Sequence, residues 1–155
     1  MLMPTPSQRA PLRRARGLVA RAVAFGRGDP AGRYAPTVSA TDRSSALEVS
    51  PATVQEWTAD DPAPQVIDVR EAYEREAGHI ADSLHIELLT LPAREGKIDR
   101  ERPVVFYCRV GARSLMAAQA FRAAGFEAYS LDGGLLRWAG EGRPLVPEGG
   151  RVADH

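Results

Sequence analysis

Tyr107-Cys108-Arg109-Val110-Gly111-Ala112-Arg113-Ser114 is the stretch on which the reading of this chain turns. It follows an apolar β-type run, Val104-Val105-Phe106-Tyr107, and leads into a helix-type run from Ser114 to Ala124. A thiol at the C-terminal tip of a strand, then a short loop with a glycine and two arginines, then a helix, is how a backbone builds an anion cradle. Helix N-termini leave amide N–H groups unpaired, and the helix dipole adds partial positive charge there. Both effects favour a thiolate over a thiol, so Cys108 is expected to be acidic and nucleophilic. The bland alternative is a buried cysteine acting as a small apolar side chain. Such a cysteine has no need of Arg109 and Arg113 beside it, which favours the nucleophile.

Each loop residue has an expected part. Gly111 supplies the backbone freedom of a tight turn. Arg113 closes the loop and starts the helix. Arg109 points outward to meet an anionic donor. Val110 and Ala112 lend backbone N–H groups to a nest around the sulfur. Ser114 either caps the helix or donates to the sulfur. This geometry suits a negative charge on or beside the sulfur, as in a persulfide or a sulfonate-like oxyanion.

Outward from the loop, strands and helices alternate. Strands are expected at Leu47–Val49, Gln65–Val69, Ser83–Ile86, Pro103–Tyr107 and Glu127–Leu131. Ser50-Pro51 reads as an N-cap with proline in the first turn of a helix over 51–58. Further helices are expected over 71–77, stopped by Gly78, over 114–124, ended by Gly125, and over 133–139. Residues 88–94 form a brief helix or irregular segment broken by Pro92. The pattern implies an α/β fold with a central, mostly parallel sheet of about five strands and helices on both faces. In such sheets ligands bind beyond the carboxyl ends of the strands, where Cys108 sits.

The chain has 155 residues and 44% apolar composition, enough for one domain. The domain is expected over 45–148, after a basic, flexible, poorly ordered tail over 1–44 and before a C-terminal tail over 149–155. Formal charge balances at 20 basic and 20 acidic residues, which argues against nucleic acid as a partner. Residues 1–33 nevertheless hold seven arginines and one aspartate. Within them Leu12, Ala15, Leu18, Val19, Ala22 and Val23 fall near helical spacing. Three readings compete for that stripe: a basic amphipathic surface segment, an organelle transit peptide, or a solvated leader without a role. The expected location is cytoplasmic, with organelle import as the alternative. No apolar run approaches the ~20 residues of a membrane span. With a single cysteine there is neither an intrachain disulfide nor a resolving thiol, so sulfur carried on Cys108 must leave to another molecule. One cysteine and three scattered histidines lack metal-ligand spacing, so no metal or other cofactor is expected.

The segment Tyr107 to Ser114 resembles the active-site loop of the rhodanese family of sulfurtransferases. Val66-Ile67-Asp68-Val69-Arg70-Glu71 with Gly78-His79-Ile80 resembles that family's first signature. Leu131-Asp132-Gly133-Gly134, Trp138 and Gly142-Arg143-Pro144 resemble its closing one. The likeness spans residues 46–147. It implies a Cys108 thiolate that takes sulfane sulfur from a donor such as thiosulfate, holds it as a persulfide, and passes it to cyanide or a thiol. Partners would be small donors and acceptors, or a thiol protein such as a thioredoxin. It further implies that Asp68 and Arg70 brace the site and that His79 is structural. Trp57 and Trp138, as large aromatic residues, are read as core anchors. The chain departs from the family where Ala81-Asp82, His85 and Arg75 replace a common Pro-Gly, an asparagine and an aromatic residue.

Two other readings stand beside this one. The domain could be a persulfide carrier or docking module in a protein-to-protein relay. It could also be a cysteine-dependent phosphatase or arsenate reductase. Those enzymes generally place five residues between cysteine and arginine, whereas Cys108 and Arg113 enclose four. A smaller ring of amides suits a single sulfur atom better than a tetrahedral phosphate.

Overall fold

A computed structural model describes residues 46–154. Residues 1–45 and His155 lie outside it, and with them the expected tail and its apolar stripe. Five strands form one sheet in the order β1-β5-β4-β2-β3, and every pairing is parallel. The strands are β1 (Glu48–Val49), β2 (Gln65–Asp68), β3 (Leu84–His85), β4 (Val104–Tyr107) and β5 (Ala128–Leu131). The helices are α1 (Pro51–Trp57), α2 (Ala72–Ala77), α3 (Leu91–Arg94), α4 (Ala112–Ala123) and α5 (Gly134–Gly140). The alternation expected from the sequence is therefore the architecture found.

Strand β4 sits at the centre, and all four of its residues are buried. Period-two alternation sends its side chains to opposite faces. Val104 and Phe106 join a core with Ile67, Ala117, Ala118 and Phe121, beneath α4. Val105 and Tyr107 join a second core with Val54, Trp57, Tyr129, Leu135 and Trp138, beneath α1 and α5. Both tryptophans are thus core residues, as expected of large aromatic side chains. Register sets Asp68 opposite Tyr107 and Phe106 opposite Ser130, so β2 and β5 flank the strand end that carries Cys108.

Element boundaries differ from expectation where tertiary contacts decide them. Helix α4 begins at Ala112, two residues before the expected Ser114. Gly111, at φ 106°, makes the left-handed turn that starts the helix early. Pro92 lies in the first turn of α3 and does not break it; a 3₁₀ turn over Leu88–Thr90 precedes that helix. Residues beyond 148, read from the sequence as a tail, are tied to the domain. The Arg151 amide donates to the Ala77 carbonyl at 2.8 Å, and Ala153 is buried.

Tyr107 closes the strand with a buried phenol. Its oxygen accepts from the Ile80 amide at 3.2 Å and lies 3.0 Å from Ser83 Oγ. Burial, and then the Asp68 carboxylate, push its pKa up to about 12. The unfolded phenol ionises near 10, so the folded state keeps a proton that the unfolded state loses. Stability contributed by this group is full below pH ~10 and declines by on the order of 1 kcal/mol per pH unit above it. Tyr107→Phe leaves the Ile80 amide without its acceptor and is expected to cost about 1 kcal/mol at pH 8. Denaturant titrations should show that gap narrowing by pH 11. A gap of constant size would mean that the phenol does not couple to alkaline unfolding.

Candidate active site

The loop after β4 is shaped by what grips its carbonyls. The Leu135 amide donates to the Cys108 carbonyl at 2.8 Å, and the Leu136 amide donates to the Arg109 carbonyl at 3.0 Å. These are first-turn N–H groups of α5, which have no partner inside their own helix. The approach is close enough that a Cβ on Gly134 would stand 2.6 Å from both carbonyl oxygens. Gly134 at φ 59° is therefore required twice, by backbone angle and by space. With the carbonyls turned toward α5, the loop's N–H groups turn toward the sulfur.

The Gly111 amide donates to Cys108 Sγ at 3.1 Å. Burial raises the thiol pKa. The Ser114 amide, the Ser114 hydroxyl and the amides of Gly111 and Val110 outweigh it, and hold the thiol below its ordinary value. The early start of α4 is what puts the Ser114 amide in its first turn, aimed at the sulfur. Cys108 is only 1% exposed. It is as buried as an inert cysteine, yet it is surrounded by donors, which an inert cysteine does not need. Ser114 Oγ lies within reach of two acceptors, Cys108 Sγ at 3.6 Å and the Gly111 carbonyl at 3.1 Å.

The two arginines have different fates. Arg113 donates through Nη1 and Nη2 to the two carboxylate oxygens of Glu74, each at 2.8 Å. Glu74 is fully buried. The same carboxylate accepts the Glu71 amide at 3.1 Å, within a capping box at the start of α2. Arg113 also interacts with Cys108, so a fixed cation stands beside the sulfur. Arg109 was expected to face an outside donor. Its Nε instead donates to the Ala153 carbonyl and its Nη2 to Asp154 Oδ1, both at 3.0 Å. Sequence reasoning had no view of this contact, because the C-terminal segment returns to the loop only in three dimensions. Val110, half exposed, forms the outer crest of the loop, and Ala112 is exposed on the first turn of α4.

Asp68 and Arg70 do not touch the sulfur. Arg70 donates through Nε and Nη2 to the two oxygens of Asp68, at 2.9 and 2.8 Å, and from Nη2 to the Gly78 carbonyl at 2.8 Å. Both are fully buried, and the pair fixes the end of β2 against the turn into β3. The three departures from the family pattern cluster nearby. Arg75 donates to Ser83 Oγ and to the Ser83 carbonyl, at 3.1 and 2.6 Å. His85 Nε2 lies 2.8 Å from the Arg70 carbonyl, and Asp82 takes a positive φ of 59°. His79 Nδ1 lies 3.1 Å from the Arg75 carbonyl and its backbone bridges to Val146. Among the described residues no group of three or more histidine, cysteine or acidic side chains could hold a metal ion.

A family model described as "Rhodanese-like domain" matches residues 50–141. A protein named "Sulfurtransferase" from Allochromatium vinosum is 35% identical over 104 residues, which cover 66% of this chain and 97% of that one. "Thiosulfate sulfurtransferase GlpE" of Coxiella burnetii is 40% identical over 74 residues, covering 47% of this chain and 69% of that one. The crystal structure of a rhodanese-related protein from Thermoplasma volcanium superposes with a TM-score of 0.59 at 29% identity, over 64% of this chain and 96% of that one.

Glu74, which holds Arg113, and Ser130, whose hydroxyl lies 2.8 Å from Ser114 Oγ, are among the residues near this site that the sequence did not single out. If Glu74 fixes Arg113, Glu74→Ala should lower unfolding free energy by about 1–3 kcal/mol, while the exposed Glu76→Ala on the same helix changes it by less than about 0.5 kcal/mol. Chemical denaturation checks both. Equal effects of the two substitutions would show that the buried ion pair carries no special weight.

Proposed function

The chain belongs to the rhodanese-like domain family, and from that premise we propose that it transfers sulfane sulfur from an anionic donor such as thiosulfate to cyanide or a thiol through a persulfide on Cys108. The Cys108 thiolate attacks the outer sulfur of thiosulfate. A sulfur–sulfur bond forms to Cys108, the bond to the sulfonate sulfur breaks, and sulfite leaves with the electron pair. The acceptor then attacks the terminal sulfur, giving thiocyanate from cyanide and restoring the thiolate. The same exchange with a protein thiol would make the domain a relay partner. The reading places this exchange in the cytoplasm, where acceptor thiols stay reduced.

The observation that carries the reading is the ring of N–H donors on a thiol that is 1% exposed. The entering atom must be slender. A terminal sulfur is a single atom, whereas a phosphate brings a tetrahedron whose equatorial oxygens each need a donor. The burial of Cys108 therefore favours sulfur transfer over phosphate hydrolysis. Arg113, held rigid by Glu74, supplies positive charge where the persulfide anion forms. Arg109, bound to residues 153 and 154, acts on donors only when that contact opens.

Intact mass after treatment with thiosulfate tests the intermediate. A gain of about 32 Da is expected, lost on adding cyanide and absent from Cys108→Ser. Arg113→Ala should reduce thiocyanate production by about 100-fold. A Cys108→Ser protein that still makes thiocyanate at the full rate would remove the mechanism. Efficient turnover of an aryl phosphate without thiocyanate would favour the phosphatase reading.

A further inference from the structure

Beneath the nucleophile lies a hydroxyl pair that the proposed reaction does not use directly. Ser130 on β5 and Ser114 on α4 are both fully buried, with their Oγ atoms 2.8 Å apart. Among the described residues Ser114 Oγ is the one partner of the Ser130 hydroxyl. Ser114 Oγ has three neighbours: Ser130 Oγ, the Gly111 carbonyl at 3.1 Å and Cys108 Sγ at 3.6 Å. Each hydroxyl has one proton to give. If Ser114 gave its proton to Ser130, the buried Ser130 proton would have no acceptor, at a cost that native interiors avoid. The Ser130 proton therefore goes to Ser114, and the Ser114 proton goes elsewhere.

Two acceptors remain for it. The Gly111 carbonyl already accepts the Leu115 amide at 2.9 Å. Sulfur is a poor acceptor as a thiol, but a charged one as a thiolate or persulfide, and hydrogen bonds to charge are the stronger kind. Donation from Ser130 also polarises the Ser114 hydroxyl and strengthens what it donates. We infer that Ser130 is a positioning residue for the nucleophile: it donates to Ser114 Oγ and so directs the Ser114 proton onto Cys108 Sγ once the sulfur is anionic. This deepens the sulfur-transfer reading and rests on Cys108 being its nucleophile. The charged neighbour at the sulfur is Arg113, backed by Glu74, and neither is altered by a change at Ser130.

The test is the pH profile of Cys108 alkylation by iodoacetamide in the full chain, which needs neither donor nor acceptor. Ser130→Ala is expected to move the profile to higher pH, so that alkylation on its acid limb slows about 3–10-fold. Ser130→Thr should restore the profile, and Ser130→Val should resemble Ser130→Ala. In a Ser114→Ala background, adding Ser130→Ala should change the rate by less than about 2-fold, because the partner through which it acts is gone. Should Ser130→Ala fail to fold, the Thr and Val pair carries the same comparison. A Ser130→Ala profile that overlays the parent, or an equal effect with and without Ser114, overturns the inference. Thiocyanate production by the parent separates the two ideas. Unchanged alkylation with intact turnover removes the positioning role of Ser130 alone, while absent turnover with shifted alkylation removes the sulfur-transfer reading alone.

Discussion

The convergence of main-chain N–H groups on Cys108 Sγ is the constraint that the rest of the structure serves. A buried thiol on its own would stay protonated. Here donors from Gly111, Val110 and Ser114 outweigh burial. They can do so because the loop's carbonyls point the other way, into the first turn of α5. That in turn requires a glycine at 134, where any side chain would strike the Cys108 and Arg109 carbonyl oxygens. The closing segment Leu131-Asp132-Gly133-Gly134 is thus part of the site, although none of its side chains reaches the sulfur.

Around this ring the charges are arranged in depth. Arg113 is the near cation, and the buried Glu74 holds it in place while capping α2. Asp68 and Arg70 neutralise each other at the end of β2, one strand away from the nucleophile's strand. A mobile cation would gain little from a sulfur anion after paying its own ordering entropy. A fixed one is already oriented when the anion forms. The C-terminal residues add an outer layer, since Ala153 and Asp154 engage the guanidinium of Arg109, the residue directly after the nucleophile.

Much of this was legible before any coordinates. The apolar run of β4, the helix-type run after it and the alternation of elements imply a parallel α/β sheet, because period and turn residues are local properties. The nucleophile was legible for the same reason: cysteine, glycine and two arginines lie within six residues. Helix α4 starts two residues before the sequence suggests, because Ser114 looks like a cap whereas Gly111 makes the turn. Glu74 was hidden because its partner Arg113 is 39 residues away, and Ser130 because its partner is on a helix that packs across the sheet. The sequence places Arg109 directly after the nucleophile and so suggests an anionic donor as its partner, whereas its carbonyl acceptor lies 44 residues on. Local chemistry shows through a sequence, whereas pairing across the fold does not.

One measurement addresses the donor ring directly. The chain has a single cysteine, so the ultraviolet thiolate absorbance that differs between the parent protein and Cys108→Ser reports Cys108 alone. Followed against pH, its midpoint should fall below that of an ordinary cysteine, near 8.5. A midpoint at or above that value would mean that burial wins over the amides, and the account of this site would be contradicted.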